Sequence, residues 1–195
     1  NMNNMFSYDA ELETLDISNF DTSAVTDLNS IFEEATGLKA ILVSDKFVVH
    51  ENSENVFENA SSLTGIITMS ETPVAGQFKG TIPEGVILYV PNDSVDAYVA
   101  TLAGDTDSNQ IAPVLLLNGD MIIEIQAGGT YTELGYKVAG FTPEELATLG
   151  SGDENLFGYN VATTGEVKTD TEGTYNIDYS LTRTYKSGNT TITTS

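Results

Sequence analysis

Apolar positions in the first hundred residues recur in two alternating patterns with a period near 26. One is a strand motif: Leu12, Leu15, Ile17 and Phe20 in one unit, Leu38, Ile41 and Val43 in the next. Strand side chains alternate with period two, so Leu15 and Ile17 share an inward face. Thr14, Asp16 and Ser18 then face outward, as do Ala40, Leu42 and Ser44 one unit later. The other pattern is the triplet Leu28, Ile31 and Phe32, at i, i+3 and i+4. It predicts a short helix capped by Thr26 or Ser23. Met2, Met5 and Phe6 repeat the triplet, and Phe6, Phe32 and Phe57 are spaced by 26 and 25 residues. In the third unit Ser53 replaces the first apolar position, so the stripe weakens. A period of this length predicts a solenoid, in which each unit buries its apolar face by stacking on its neighbours. Such a surface is extended, which favours binding over catalysis.

The pattern then changes. Residues 70 to 85 are irregular, broken by Pro73, Gly76, Gly80, Pro83 and Gly85. Val86–Pro91 predicts a buried strand. Asn92-Asp93-Ser94 opens a helix with Val95, Tyr98, Val99 and Leu102 on its apolar face. This strand and helix are expected to cap the array. Gly104–Gln110 is polar and turn-rich and reads as a linker. Beyond it, seven short strands are predicted: Val114–Leu117, Met121–Ile125, Thr130–Val138, Phe157–Val161, Gly165–Lys168, Thr174–Leu181 and Thr190–Thr194. Thr142–Ala147 reads as one helical turn. The expected domains are therefore 1–104, a linker at 105–110, and 111–195.

Charge narrows the partners. The chain holds 29 acidic and 7 basic residues, a net charge of −22, yet 40% of its residues are hydrophobic, as expected for a folded protein. Both halves are acidic, so nucleic acid and anionic membrane surfaces are repelled rather than attracted. Cationic or neutral partners, or partners bridged by a divalent cation, remain. Without cysteine there is no disulfide and no thiolate metal site. No apolar run is long enough to span a bilayer as a helix.

The phrase Leu15-Asp16-Ile17-Ser18-Asn19-Phe20-Asp21-Thr22-Ser23-Ala24-Val25-Thr26-Asp27-Leu28 resembles the repeated unit of BspA-like leucine-rich-repeat proteins of bacterial surfaces. Leu88–Tyr98 resembles the closing unit of such arrays. Pro113–Asp120, Tyr131–Tyr136 and Glu172–Tyr179 resemble bacterial immunoglobulin-like modules. Together these imply a multidomain chain: a short α/β leucine-rich-repeat solenoid of about three coils plus cap, then an all-β immunoglobulin-like sandwich. Families of both kinds include adhesins, which implies an extracellular, cell-surface or secreted location.

Candidate sites follow from chemistry. The outward sheet residues Thr14, Asp16, Ser18, Ala40, Leu42 and Ser44 form the generic binding face of a solenoid. In the linker, Asp105, Asp107 and Asn109 alternate like the opening of a calcium loop, but the glycine and distal glutamate of such a loop are missing. Calcium is the one cofactor weighed; otherwise none is expected. His50 is the only histidine and Arg183 the only arginine. Neither sits in a catalytic motif, and no enzyme activity is expected. Lys137 and Asn189 are the pair loosely placed for an isopeptide bond. The expected function is adhesion, as a monomer, to a host or neighbouring-cell protein or glycan, with the sandwich as spacer. The alternatives are a purely structural stalk and an accessory module of an enzyme.

Overall fold

The computed structural model describes residues 1–50, 52–119, 123–149, 158–187 and 190–194. The chain divides into two compact units, Asn1–Val114 and Leu115–Ser195.

In the first unit, strands β1 (Thr14–Ile17), β2 (Ala40–Val43), β3 (Gly65–Thr68), β4 (Ile87–Val90) and β5 (Ile111–Pro113) form one parallel sheet in chain order. Its register is that of the repeat: Leu15 lies opposite Ile41, and Ile41 opposite Ile66. Helix α1 (Val95–Thr101) follows β4 and buries Tyr98, whose hydroxyl donates to the Ser70 carbonyl at 3.0 Å.

The segments predicted as repeat helices are turns. Ser30, Glu34, Asn55 and Asn59 all have positive φ, near 57°, which no α-helix accommodates. The reason lies in where the backbone donors go. The N–H groups of Ser30, Phe32 and Glu34 donate to the carbonyls of Glu54, Val56 and Glu58 in the next unit, at 2.9, 3.0 and 2.8 Å. Those of Asn4, Phe6 and Tyr8 reach Asn29, Ile31 and Glu33 in the same way. A ladder between units thus replaces the ladder within a helix, and the buried donors are satisfied either way. Leu28, Ile31 and Phe32 are buried all the same. Their i, i+3, i+4 spacing fits a compact turn as well as a helix. The three phenylalanines form a column, with ring centroids 5.7 Å apart for Phe6–Phe32 and 5.3 Å for Phe32–Phe57.

Thr22 is a second tie between units. Buried, it donates its hydroxyl to Val48 O at 3.1 Å and accepts from Val48 N–H at 2.7 Å. Thr22→Val keeps the shape but strands these groups, and is expected to cost about 2 kcal/mol of stability. Urea unfolding measures it, and a cost near zero would show that the groups find other partners.

The second unit contains a two-stranded antiparallel sheet of β6 (Leu115–Leu117) and β7 (Tyr136–Val138). A three-stranded antiparallel sheet is formed by β8 (Tyr159–Thr164), β9 (Asp178–Ser187) and β10 (Thr190–Thr194), with β9 central. Helix α2 (Pro143–Thr148) matches the predicted helical turn. Its capping box has Thr142 Oγ1 accepting from Glu145 N–H and Glu145 Oε2 accepting from Thr142 N–H.

The expected fold class is therefore corrected. Among the described residues the first part is a five-stranded parallel sheet with turn-built returns and one α-helix near its end, not an α/β leucine-rich-repeat solenoid. The described residues of the second part form two small antiparallel sheets, not an immunoglobulin-like sandwich. Among the described residues, 123–135 and 165–177 form no strand, although Gly165–Lys168 and parts of Met121–Ile125, Thr130–Val138 and Thr174–Leu181 were expected to. Met121, Ile122 and Phe157 lie outside the described residues. The segment 105–110, expected as a linker, lies within the first unit. Gln110 Nε2 donates to the carbonyls of Pro83 and Val86 at 2.7 and 3.1 Å, and β5 pairs with β4. Hydrogen bonding thus ties the end of this segment to the residues before β4, and β5, directly after it, joins the parallel sheet.

Candidate functional site

The sheet face expected to bind is partly closed. Ala40 and Leu42 were expected to face outward, yet both are 0% exposed. They share a cross-strand face with Ile67, also buried. The face is apolar along β2 and β3, so water is excluded from it rather than displayed on it. Thr14 and Ser18 are half-buried and Asp16 is exposed. Asp16 accepts from Ser18 N–H at 2.9 Å, a local turn contact. Ser44 donates to the Phe20 carbonyl and accepts from Lys46 N–H, which makes it a tie between units. The structure does not gather these six residues into one open surface.

Of the calcium candidates Asp105, Asp107 and Asn109, Asp107 makes a local turn contact. The Asp107 carboxylate accepts from Asn109 N–H at 2.9 Å, capping the 3-10 turn Ser108–Gln110. Among the described residues, no group of three acidic, histidine or cysteine side chains is placed to hold a metal. Calcium or a chelator is accordingly expected to leave the melting temperature unchanged. A rise with calcium would restore this site. His50 Nε2 hydrogen-bonds the Thr22 carbonyl at 3.3 Å, beside the Thr22 tie. Arg183 is buried on β9, opposite Tyr159 of β8. Asn189 lies outside the described residues, so its pairing with Lys137 has no structural description.

The recessed feature with convergent chemistry lies in the second unit. A cleft of about 620 Å³ is lined by aliphatic Leu117, Ile125 and Leu134 and by three tyrosines, Tyr131, Tyr175 and Tyr179. Glu124, Glu133, Glu172 and Lys168 also line it, with the amides of Asn118, Gln126 and Asn176. Among these lining residues, Tyr131 Oη donates to Glu133 Oε2 at 2.6 Å, and Gly135 N–H donates to Oε1 at 3.1 Å. The Tyr179 ring meets Tyr136 edge-on, with centroids 5.8 Å apart and planes at 67°. Its hydroxyl is buried and makes no hydrogen bond of proper geometry among the described residues, yet it is close enough to Glu133 to feel its charge. The nearby β6 end is tied by Asn118, whose N–H donates to Gly135 O at 3.0 Å and whose Nδ2 donates to Leu134 O at 2.9 Å.

These contacts set the ionisation of the cleft. The hydrogen bond from Tyr131, then the proximity of Tyr179, holds the Glu133 carboxyl below its ordinary range. Burial, then the Glu133 charge, pushes the Tyr179 hydroxyl well above the ordinary tyrosine value. Tyr131 is raised chiefly by its bond to Glu133. Glu133 is therefore a fixed negative charge among neutral phenols at neutral pH. Ultraviolet titration should show Tyr89, Tyr98, Tyr131 and Tyr179 ionising above 10, with Tyr179 strongly delayed. A single transition of all tyrosines at 10 would contradict this environment.

Sequence reasoning read the segments around Tyr131 and Tyr179 as strands and assigned them no site. One signal was available: six of the nine tyrosines lie in residues 131–185. Tyr131 and Glu133 are also only two residues apart.

Residues 1–73 match a family model described as Mycoplasma protein of unknown function, DUF285. This is consistent with the BspA-like surface-protein resemblance of the same segment and concerns the first unit alone. No match was found among curated proteins or among solved structures. No helix among the described residues is long and apolar enough to cross a membrane.

Proposed function

We propose that this chain is a recognition module of a bacterial surface protein, adhering to a protein or glycan of a host or neighbouring cell. The cleft of the second unit carries this reading. It combines a concave volume, three tyrosines and a few placed polar groups, the usual make-up of a ligand seat. The family match over residues 1–73 supports the surface-protein part. Catalysis fits the cleft poorly. A general acid or base works best with a pKa near the operating pH, and Glu133 is shifted away from it.

The first unit then serves as scaffold, because Ala40 and Leu42 are closed to a ligand. That closure also favours a second reading, a stalk with no ligand of its own. Binding of the 195-residue chain to a panel of matrix proteins and glycans separates the two. Recognition predicts at least one ligand, with binding weakened about tenfold by Tyr175→Ala and unchanged by Asp16→Ala. Absence of any ligand, or loss only with Asp16→Ala, would reject the cleft.

A further inference from the structure

We propose that the cleft of the second unit seats a cationic side chain, the ammonium or guanidinium of a basic segment on a protein partner. This rests on the recognition reading and gives its ligand a chemical class.

Three observations converge. Three carboxylates, Glu124, Glu133 and Glu172, line the cleft against the single Lys168. Among the described residues none of the three is in a salt bridge; the two ion pairs found, Lys39–Glu13 and Lys46–Asp21, both lie in the first unit. Among the described residues the cleft lining thus carries an excess of negative charge, three carboxylates against one ammonium. Residues 115–195 as a whole hold 11 acidic and 4 basic side chains, so the surrounding field also attracts cations.

The second observation is the preparation of Glu133. Tyr131 Oη and Gly135 N–H fix its two oxygens, at 2.6 and 3.1 Å. The carboxylate is thereby oriented before a ligand arrives, and each oxygen retains acceptor capacity. An ammonium or guanidinium is the donor that gains most from such a partner.

The third is the wall chemistry. Tyr131, Tyr175 and Tyr179 bring aromatic rings to the cleft, and aromatic faces attract cations. Leu117, Ile125 and Leu134, all lining residues, offer apolar surface to the methylene stem of a lysine or arginine. A neutral sugar could use the rings and the hydrogen bonds but would gain nothing from the excess negative charge. The cation uses all three.

The test uses the full chain and a tetra-arginine peptide, titrated at physiological salt, with a neutral tetrasaccharide in parallel. Because the whole protein is acidic, Glu58→Gln is the charge-matched control. Glu58 is exposed in the first unit and does not line the cleft. Glu133→Gln is expected to weaken peptide binding about tenfold, Glu58→Gln to leave it nearly unchanged. Tyr131→Phe, which keeps the ring and frees the carboxylate, should also weaken binding while circular dichroism stays that of the parent. Binding of the parent should persist as pH falls to the ordinary carboxylate value of 4.5 and be lost only below it, because Glu133 stays ionised to lower pH. Equal weakening by Glu133→Gln and Glu58→Gln would mean diffuse attraction to an acidic protein and would overturn the proposal. Tetrasaccharide binding without peptide binding would overturn it too, while leaving the recognition reading intact. Failure of both probes, together with an empty protein and glycan panel, would remove that reading as well.

Discussion

Phe32→Ala is expected to lower the unfolding free energy of the Asn1–Val114 unit by about 4 kcal/mol. Phe32 is 0% exposed and sits between Phe6 and Phe57 in the aromatic column. Its removal loses the transfer energy of a whole ring, both stacking contacts and the packing around the cavity left behind. Collapse cannot fill that cavity easily. The backbone on either side is held in register by the ladder from Asn4, Phe6 and Tyr8 to the second unit of the repeat, and from Ser30, Phe32 and Glu34 to the third. Phe6→Ala, at the half-buried end of the column, should cost only about 1–2 kcal/mol. Urea unfolding followed by far-ultraviolet circular dichroism measures both. Equal costs for the two positions would mean that the column is not a continuous core.

Gly37→Ala should cost about 3 kcal/mol for a different reason. A Cβ there would stand 2.0 Å from the Ala10 carbonyl oxygen and 2.9 Å from its carbon, backbone atoms of the preceding unit. No side chain can swing away to make room, so the two units must separate locally. That separation strains the bond from Lys39 N–H to Glu13 O, at 2.7 Å, which joins the same two units two residues later. A loss under about 0.5 kcal/mol, the usual range for a surface change, would show that the units do not pack this closely.

These two positions show what the sequence discloses about the first unit. The phenylalanine period disclosed that successive units stack on one another, because burial and alternation both leave a mark in residue type. It did not disclose the turns. Leu28, Ile31 and Phe32 satisfy helical spacing, and the choice against a helix is made by carbonyls one unit away. A local window cannot see those acceptors. Ala40 and Leu42 were misread for a related reason. Period two assigns them correctly to the face opposite Ile41, but alternation says nothing about whether that face is covered.

The second unit was less legible. Apolar alternation in 114–138 and 157–181 predicted more strand than forms, since alternation marks a face and pairing decides whether a strand exists. β9 instead runs unbroken through ten residues, Asp178–Ser187, and joins both of its neighbours. The cleft residues come from segments far apart in the chain, 117–135 and 167–179. Their convergence depends on tertiary structure, and only the local excess of tyrosine pointed toward it.

Amide hydrogen exchange of the chain with and without a bound partner tests the assignment of the binding site most directly. Protection gained in residues 123–135 and 167–179, with β1–β5 unchanged, is the predicted result. Protection gained across β1, β2 and β3, with those two segments unaffected, would return recognition to the parallel sheet and contradict the cleft.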